Sequence, residues 1–125
     1  MPASARLFLS LGGGALLAAV VLGAFGAHAL KARLDAHHLA LWETAVRYLV
    51  VAGVGLLATG LAAALHAGRA WGVPGWMLLA GGLVFSGTVA VLALGGPRWL
   101  GAVTPIGGLL LIAGFVALAV VWLRR

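Results

Sequence analysis

Cysteine is absent from the 125 residues, and acidic side chains nearly so, with Asp35 and Glu43 the only two. Without cysteine there is no disulfide, no thiolate nucleophile and no cysteine-ligated metal. Charged residues of all kinds make up 8% of the chain while hydrophobic ones make up 64%, against about 25% charged in ordinary globular domains. A water-soluble chain would need more polar surface than this. Strict apolar–polar alternation is also missing, which excludes the closed barrel and leaves helices as the structure that satisfies backbone groups in hydrocarbon. The fold class is therefore all-α.

What is present is a series of four apolar runs, residues 7–30, 39–65, 76–94 and 101–123. Each is close to or above the roughly 20 residues needed to cross a bilayer core about 30 Å thick. This predicts a single transmembrane domain over residues 1–125, an integral membrane four-helix bundle. Pro74-Gly75 and Gly95-Gly96-Pro97 read as turn signals. The loops they mark are too short for a soluble domain and make the spans they join antiparallel neighbours. The first run follows Arg6 and ends in Ala27-His28-Ala29, which has the small-x-small form of a signal-peptidase site. The apolar stretch from Leu7 to Ala27 is nevertheless far longer than the usual h-region of about 7–15 residues, so it reads as a retained helix.

The net charge of +6 comes from eight dispersed basic residues. Arg6, Arg69, Arg124 and Arg125 fall on the side of the termini; Lys31, Arg33, Arg98 and, depending on its depth, Arg47 fall on the other. Dispersed cations at span ends suit anionic lipid headgroups, making membrane lipids the first expected partner, and no basic stripe suits nucleic acid. The count favours cytoplasmic termini only if Arg47 lies within the membrane.

Without proline from Asp35 to Leu65, the second span reads as one helix with Asp35 as N-cap, about 45 Å long at 1.5 Å per residue. That exceeds the hydrocarbon, placing His37, His38, Trp42, Glu43 and Arg47 in a protruding or interfacial part, with Trp42 as an aromatic-belt residue. Small residues recur every four positions as Ala15, Ala19, Gly23 and Ala27, as Gly55, Thr59, Ala63 and Ala67, and as Gly82, Ser86 and Ala90. Each strip offers a face for close helix approach, within the chain, to a second copy or to another membrane protein.

The polar residues capable of specific chemistry gather between His28 and Tyr48. Glu43 and Arg47, four apart, are expected to pair on one helix face. Drawn into the bundle, each would need the other to offset desolvation. His28, at the end of the first span, could reach Glu43 or the Asp35–His38 segment as a proton-handling pair, though a histidine hydrogen-bonded to a helix end is the plainer reading. Adjacent His37 and His38 point about 100° apart on a helix and form no chelate by themselves. The spacing matches no recognised metal motif, so no metal is expected. Ser4, Ser10 and Ser86 lack the surroundings of a nucleophile elbow. Neither an enzyme nor a cofactor is indicated. In the fourth span Thr104-Pro105 reads as a helix cap or a kink, with Gly107-Gly108 allowing close contact or bending.

Leu22-Gly-Ala-Phe-Gly-Ala-His-Ala-Leu30, the Trp42–Tyr48 segment, Phe85-Ser86-Gly87 and Thr104-Pro105-Ile106-Gly107-Gly108 resemble, in order and separation, the YgdD-like small inner-membrane proteins, grouped as domain-of-unknown-function family 423. The resemblance extends over residues 7–120. It implies a four-span protein of the bacterial cytoplasmic membrane, with Gly23, Gly26, His28, Glu43, Tyr48, Ser86, Gly87, Thr104, Pro105 and Gly108 at or near motif positions. Members of that family commonly place glutamine after the tyrosine and histidine three residues further. Leu49 and Ala52 stand there in this chain, which counts against a polar cluster in the middle of the second span. The reading that follows is a structural or accessory membrane protein; the alternative is a small proton, ion or solute conductor.

Overall fold

The apolar runs have no water to satisfy their peptide groups in a bilayer, so each must close its own hydrogen bonds. The computed structural model, which describes residues 1–66 and 68–124, has them as helices, with no strand among the described residues. Helix α1 covers Ala3–Phe25 and runs on into a π-helical turn, Gly26–Leu30; α2 covers Ala36–Leu65; a short 3₁₀ turn, Arg69–Trp71, leads into α3, Gly72–Ala93; α4 covers Leu100–Leu123. All four are long and apolar enough to span a membrane.

The helix ends follow from local chemistry. Asp35 caps α2 as expected, its carboxylate accepting the His38 backbone N–H at 2.8 Å. Its Oδ1 also lies 2.7 Å from His38 Nδ1. At the other end of the bundle Pro74-Gly75 is not a turn; both residues sit in the first turn of α3, where a missing N–H costs nothing because it would have had no helical partner. Gly95-Gly96 does end α3. Gly95 adopts φ +92°, its N–H reaches Leu92 O at 3.1 Å, and the Gly96 N–H reaches Val91 O at 2.8 Å, the paired bonds of a glycine-terminated helix.

Each helix packs on the next in chain order: α1 on α2, α2 on α3, α3 on α4. Among the described residues no Cα of α1 comes within 8 Å of a Cα of α4. The bundle is therefore open, a staggered row of helices. Beside α2 it leaves a groove between α1 and α3, and beside α3 a second one between α2 and α4. All four helices meet in a central cluster, Phe8, Ala52, Leu56, Leu78 and Leu111, and at the end carrying the termini Ala5, Ala62, Ala63 and Leu118 surround fully buried Trp71 of the 3₁₀ turn. Its indole N–H donates to His66 O at 2.7 Å and its ring meets Trp122 edge-on at 5.2 Å.

The four-residue strip on α1 is only partly a contact face. Ala19 is buried and a Cβ added at Gly23 would lie 3.4 Å from Val46 Cγ1, but Ala27 is exposed. Four residues turn a helix through about 400°, so such a strip drifts about 40° per step and leaves its partner. The buried positions that persist are Ala5, Gly12, Ala19 and Gly26, a seven-residue repeat that keeps one seam against a neighbouring helix. At Gly12 an added Cβ would lie 2.9 Å from Gly53 O. The strip on α2 is buried at Gly55, Thr59 and Ala63; its last member, Ala67, and the terminal Arg125 lie outside the described residues.

Candidate functional site

The polar residues between His28 and Tyr48 do not converge. His28, Glu43 and Arg47 are all exposed, and the only ion pair among the described residues is His38 with Asp35. The expected Glu43–Arg47 bridge is therefore not made. Both side chains are exposed on α2, about two and three turns from its start at Ala36, and exposed charges gain little by pairing. Tyr48 points the other way round the helix and meets Phe85 edge-on at 4.8 Å.

Trp42 departs most from its sequence reading. It is 5% exposed and so is no belt residue. Its ring occupies the space over Gly26, where a Cβ would lie 2.5 Å from Trp42 Cδ1. Its indole N–H donates to Leu22 O at 2.9 Å. The π-helical turn makes this possible: the Lys31 N–H bonds back five residues to Gly26 O at 3.0 Å, a wide turn of the kind that disrupts the ordinary i to i−4 ladder. Leu22-Gly23-Ala24-Phe25-Gly26 is thus a lock between α1 and α2. Glycine at position 26 followed by a tryptophan on the next helix was the only signal of it in the sequence.

Thr104 is not a helix cap. Helix α4 begins at Leu100 with Trp99 at the cap position, leaving Thr104 and Pro105 inside the helix. The Thr104 hydroxyl lies 3.1 Å from Leu100 O and 2.7 Å from Thr88 Oγ1 of α3, either hydroxyl able to donate to the other. One turn on, Gly107 meets the α3 backbone directly: a Cβ there would collide with Phe85 N and lie 3.0 Å from Gly81 O. Gly108 is looser: a Cβ there would lie 3.6 Å from the Phe85 ring. The Thr104–Gly108 segment is therefore the close crossing of α3 and α4, a hydroxyl pair followed by a backbone contact.

The two grooves differ in what lines them. The larger, about 540 Å³, is bounded by Ser10, Gly14 and Ala18 of α1 and by Gly82, Ser86 and Gly87 of α3, with Trp42 closing one end. Ser86 is 5% exposed and its hydroxyl has no hydrogen-bond partner. The smaller, about 330 Å³, is lined by Tyr48, Phe85, Gly108 and Phe115 among others. Small side chains make the first groove and aromatic rings the second.

Comparison with known proteins agrees with this architecture. The family model described as "Protein of unknown function (DUF423)" matches residues 22–108, from the Leu22 carbonyl that Trp42 binds to the glycines of the α3–α4 crossing. A UPF0382 membrane protein of Staphylococcus haemolyticus is 41% identical over 116 residues, covering 92% of this chain and 93% of that protein. One from Staphylococcus epidermidis is 40% identical over 120 residues, covering 95% and 97%, and one from Staphylococcus aureus is 38% identical over 116 residues, covering 92% and 93%. No solved structure matches the chain. With the family model matching residues 22–108 and similarity running through nearly the whole length of these relatives, this chain belongs to the DUF423 family of membrane proteins.

Proposed function

We infer that the protein is a structural or accessory component of the bacterial cytoplasmic membrane, acting by packing against other membrane helices rather than by moving a solute or turning over a substrate. The observation that carries this reading is the open row of helices. Two apolar grooves run along the sides of the row, while His28, Glu43 and Arg47 are exposed toward one end and line neither groove. A conducting path needs polar or charged groups aligned along its length. Among the described residues the buried polar side chains are Thr59, Ser86 and the indoles of Trp42 and Trp71; Thr59 is already committed to Gly55 O at 2.8 Å, and the indoles to Leu22 O and His66 O.

Both termini lie at the Trp71 end, and the reading places that end in the cytoplasm. In support, the stretch from Arg47 to Leu65 is about 27 Å of helix, within the hydrocarbon thickness, so that Arg47 counts as part of the span. The sequence then has Arg6, Arg69, Arg124 and Arg125 on the side of the termini against Lys31, Arg33 and Arg98 on the other. Thiol labelling of Ser4→Cys and Arg98→Cys variants in intact cells tests the orientation: only the second should react with an impermeant reagent.

The accessory reading is tested by reconstitution into vesicles containing a pH-sensitive dye, with a panel of ions outside. Flux no greater than that of empty vesicles is expected. Robust flux that is lost in both Glu43→Gln and His28→Ala variants would overturn the reading in favour of a small conductor.

A further inference from the structure

We propose that the groove between α1 and α3 is a self-association site, filled by α1 of a second copy of this chain. The inference rests on the accessory reading and names its partner. Along the groove wall Ser10, Gly14 and Ala18 follow one another at four-residue spacing on α1, and Gly82, Ser86 and Ala90 do the same on α3. This α1 strip lies beside the Ala15, Ala19, Gly23 series already used against α2, so α1 carries two small-residue faces and spends one inside the chain.

Three features point to an occupant with a rigid backbone. Gly14 and Gly87 sit in helix interiors with nothing within 4 Å of where a Cβ would be. Such glycines weaken a helix with no return inside the protein. Against fluid acyl chains they gain nothing over alanine, but against a helix they allow the close backbone approach of small-xxx-small pairs. The second feature is the Ser86 hydroxyl, buried on the groove wall and unpaired. A backbone carbonyl or a serine hydroxyl on a closely packed helix supplies the missing partner, whereas a hydrocarbon tail does not.

The third feature selects α1 as the occupant. It is the least covered helix, 17% of its most apolar stretch being buried against 44% for α2. Two copies inserted with the same orientation are related by a two-fold axis along the membrane normal. Their α1 helices then run parallel, and each enters the groove of the other, as a self-complementary interface requires. The crossing falls at Gly14, where the α1 backbone is bare.

The absence of native cysteine makes the test direct. In lipid vesicles of the full chain, Gly14→Cys should form disulfide-linked dimers on mild oxidation, and Leu109→Cys on the exposed face of α4 should not. With donor and acceptor dyes on Ser4→Cys copies, native energy transfer should be lost on adding Gly14→Leu and reduced by Ser86→Ala. Gly14→Leu should unfold no more easily than the native monomer, since a Cβ there has nothing within 4 Å and leucine is the better helix former. Transfer that persists in Gly14→Leu, or equal cross-linking at positions 14 and 109, would overturn the proposal. So would a native chain that remains monomeric at every protein-to-lipid ratio. That last result leaves the accessory reading standing on the flux experiment alone, so the two fail separately.

Discussion

The indole N–H of Trp42 donates to the carbonyl of Leu22 at 2.9 Å while its ring lies over Gly26, so one side chain both bonds to and caps the π-helical turn of the preceding helix. Trp42→Phe keeps most of the ring and removes only the hydrogen bond, and should cost about 1 kcal/mol. Gly26→Ala keeps the bond donor but drives a methyl into the ring, and should cost about 1–3 kcal/mol. Unfolding in detergent, followed by circular dichroism, checks both; equal stability of Gly26→Ala and the native chain would show that the ring is free to move aside.

The α3–α4 crossing makes a sharper contrast between glycines. Gly107→Ala would force backbone apart from backbone at Phe85 and should destabilise by more than the Gly26 change, since no flexible side chain can yield. Gly101→Ala, in the same helix with nothing within 4 Å, should be neutral or stabilising by up to about 1 kcal/mol through helix propensity. Thermal unfolding of the two variants side by side separates packing from propensity.

Thr88 and Thr104 join their helices through hydroxyls 2.7 Å apart. A double-mutant cycle with Thr88→Val and Thr104→Val should return a coupling of about 0.6 kcal/mol, the usual size for such bonds within membranes. Strict additivity would mean that each hydroxyl is satisfied by its own helix, through Val84 O and Leu100 O.

Glu43 has no partner among the described residues, so Glu43→Gln should leave stability within about 0.5 kcal/mol of native. A buried Glu43–Arg47 bridge predicts a loss that exchanging the two charges would partly restore. Measuring both variants in detergent decides between a solvated carboxylate and a bridge.

Asp35 supplies the acid dependence. The His38 backbone N–H, and after it the His38 ring, hold its carboxyl below the ordinary carboxylate value of 3.8. A carboxylate whose pKa is lower folded than unfolded stabilises the fold at pH above the unfolded value, and loses that contribution as pH falls through the folded one. The α2 start should therefore fray below pH 3.8, and Asp35→Asn should remove that dependence while retaining a competent cap. Hydrogen exchange of the first α2 amides as a function of pH reports it.

The helices, their order and the Asp35 cap were legible in the sequence because they depend on run length and on one local bond. The lateral arrangement was not. Composition shows that Ala5, Gly12, Ala19 and Gly26 are small, but four-residue and seven-residue spacings coexist in a chain with 20 glycines, and only the crossing of α1 with α2 selects between them. Trp42 was misread for a related reason: an aromatic near a span end usually faces the headgroups, and the π-helical turn that recruits it has no sequence signature. The charges of Glu43 and Arg47 have the right spacing to pair, yet solvated side chains at a membrane edge gain little by doing so.

Because among the described residues no Cα of α1 lies within 8 Å of one of α4, and each helix rests mainly on its predecessor, most tertiary contacts can form in the order in which the chain is made. The α1–α2 hairpin can settle while α3 is still being synthesised, and α3 finds its seat on α2 already exposed. Such a topology needs no late threading between distant segments, a property of low contact order. The exceptions are the two clusters that α4 completes: Leu111 joins Phe8, Ala52, Leu56 and Leu78, and Leu118 joins Ala5 and Trp71, and neither closes until the last helix has entered the membrane. Assembly thus proceeds as a sequence of neighbouring hairpins, completed when α4 closes over a tryptophan laid down just before the third span.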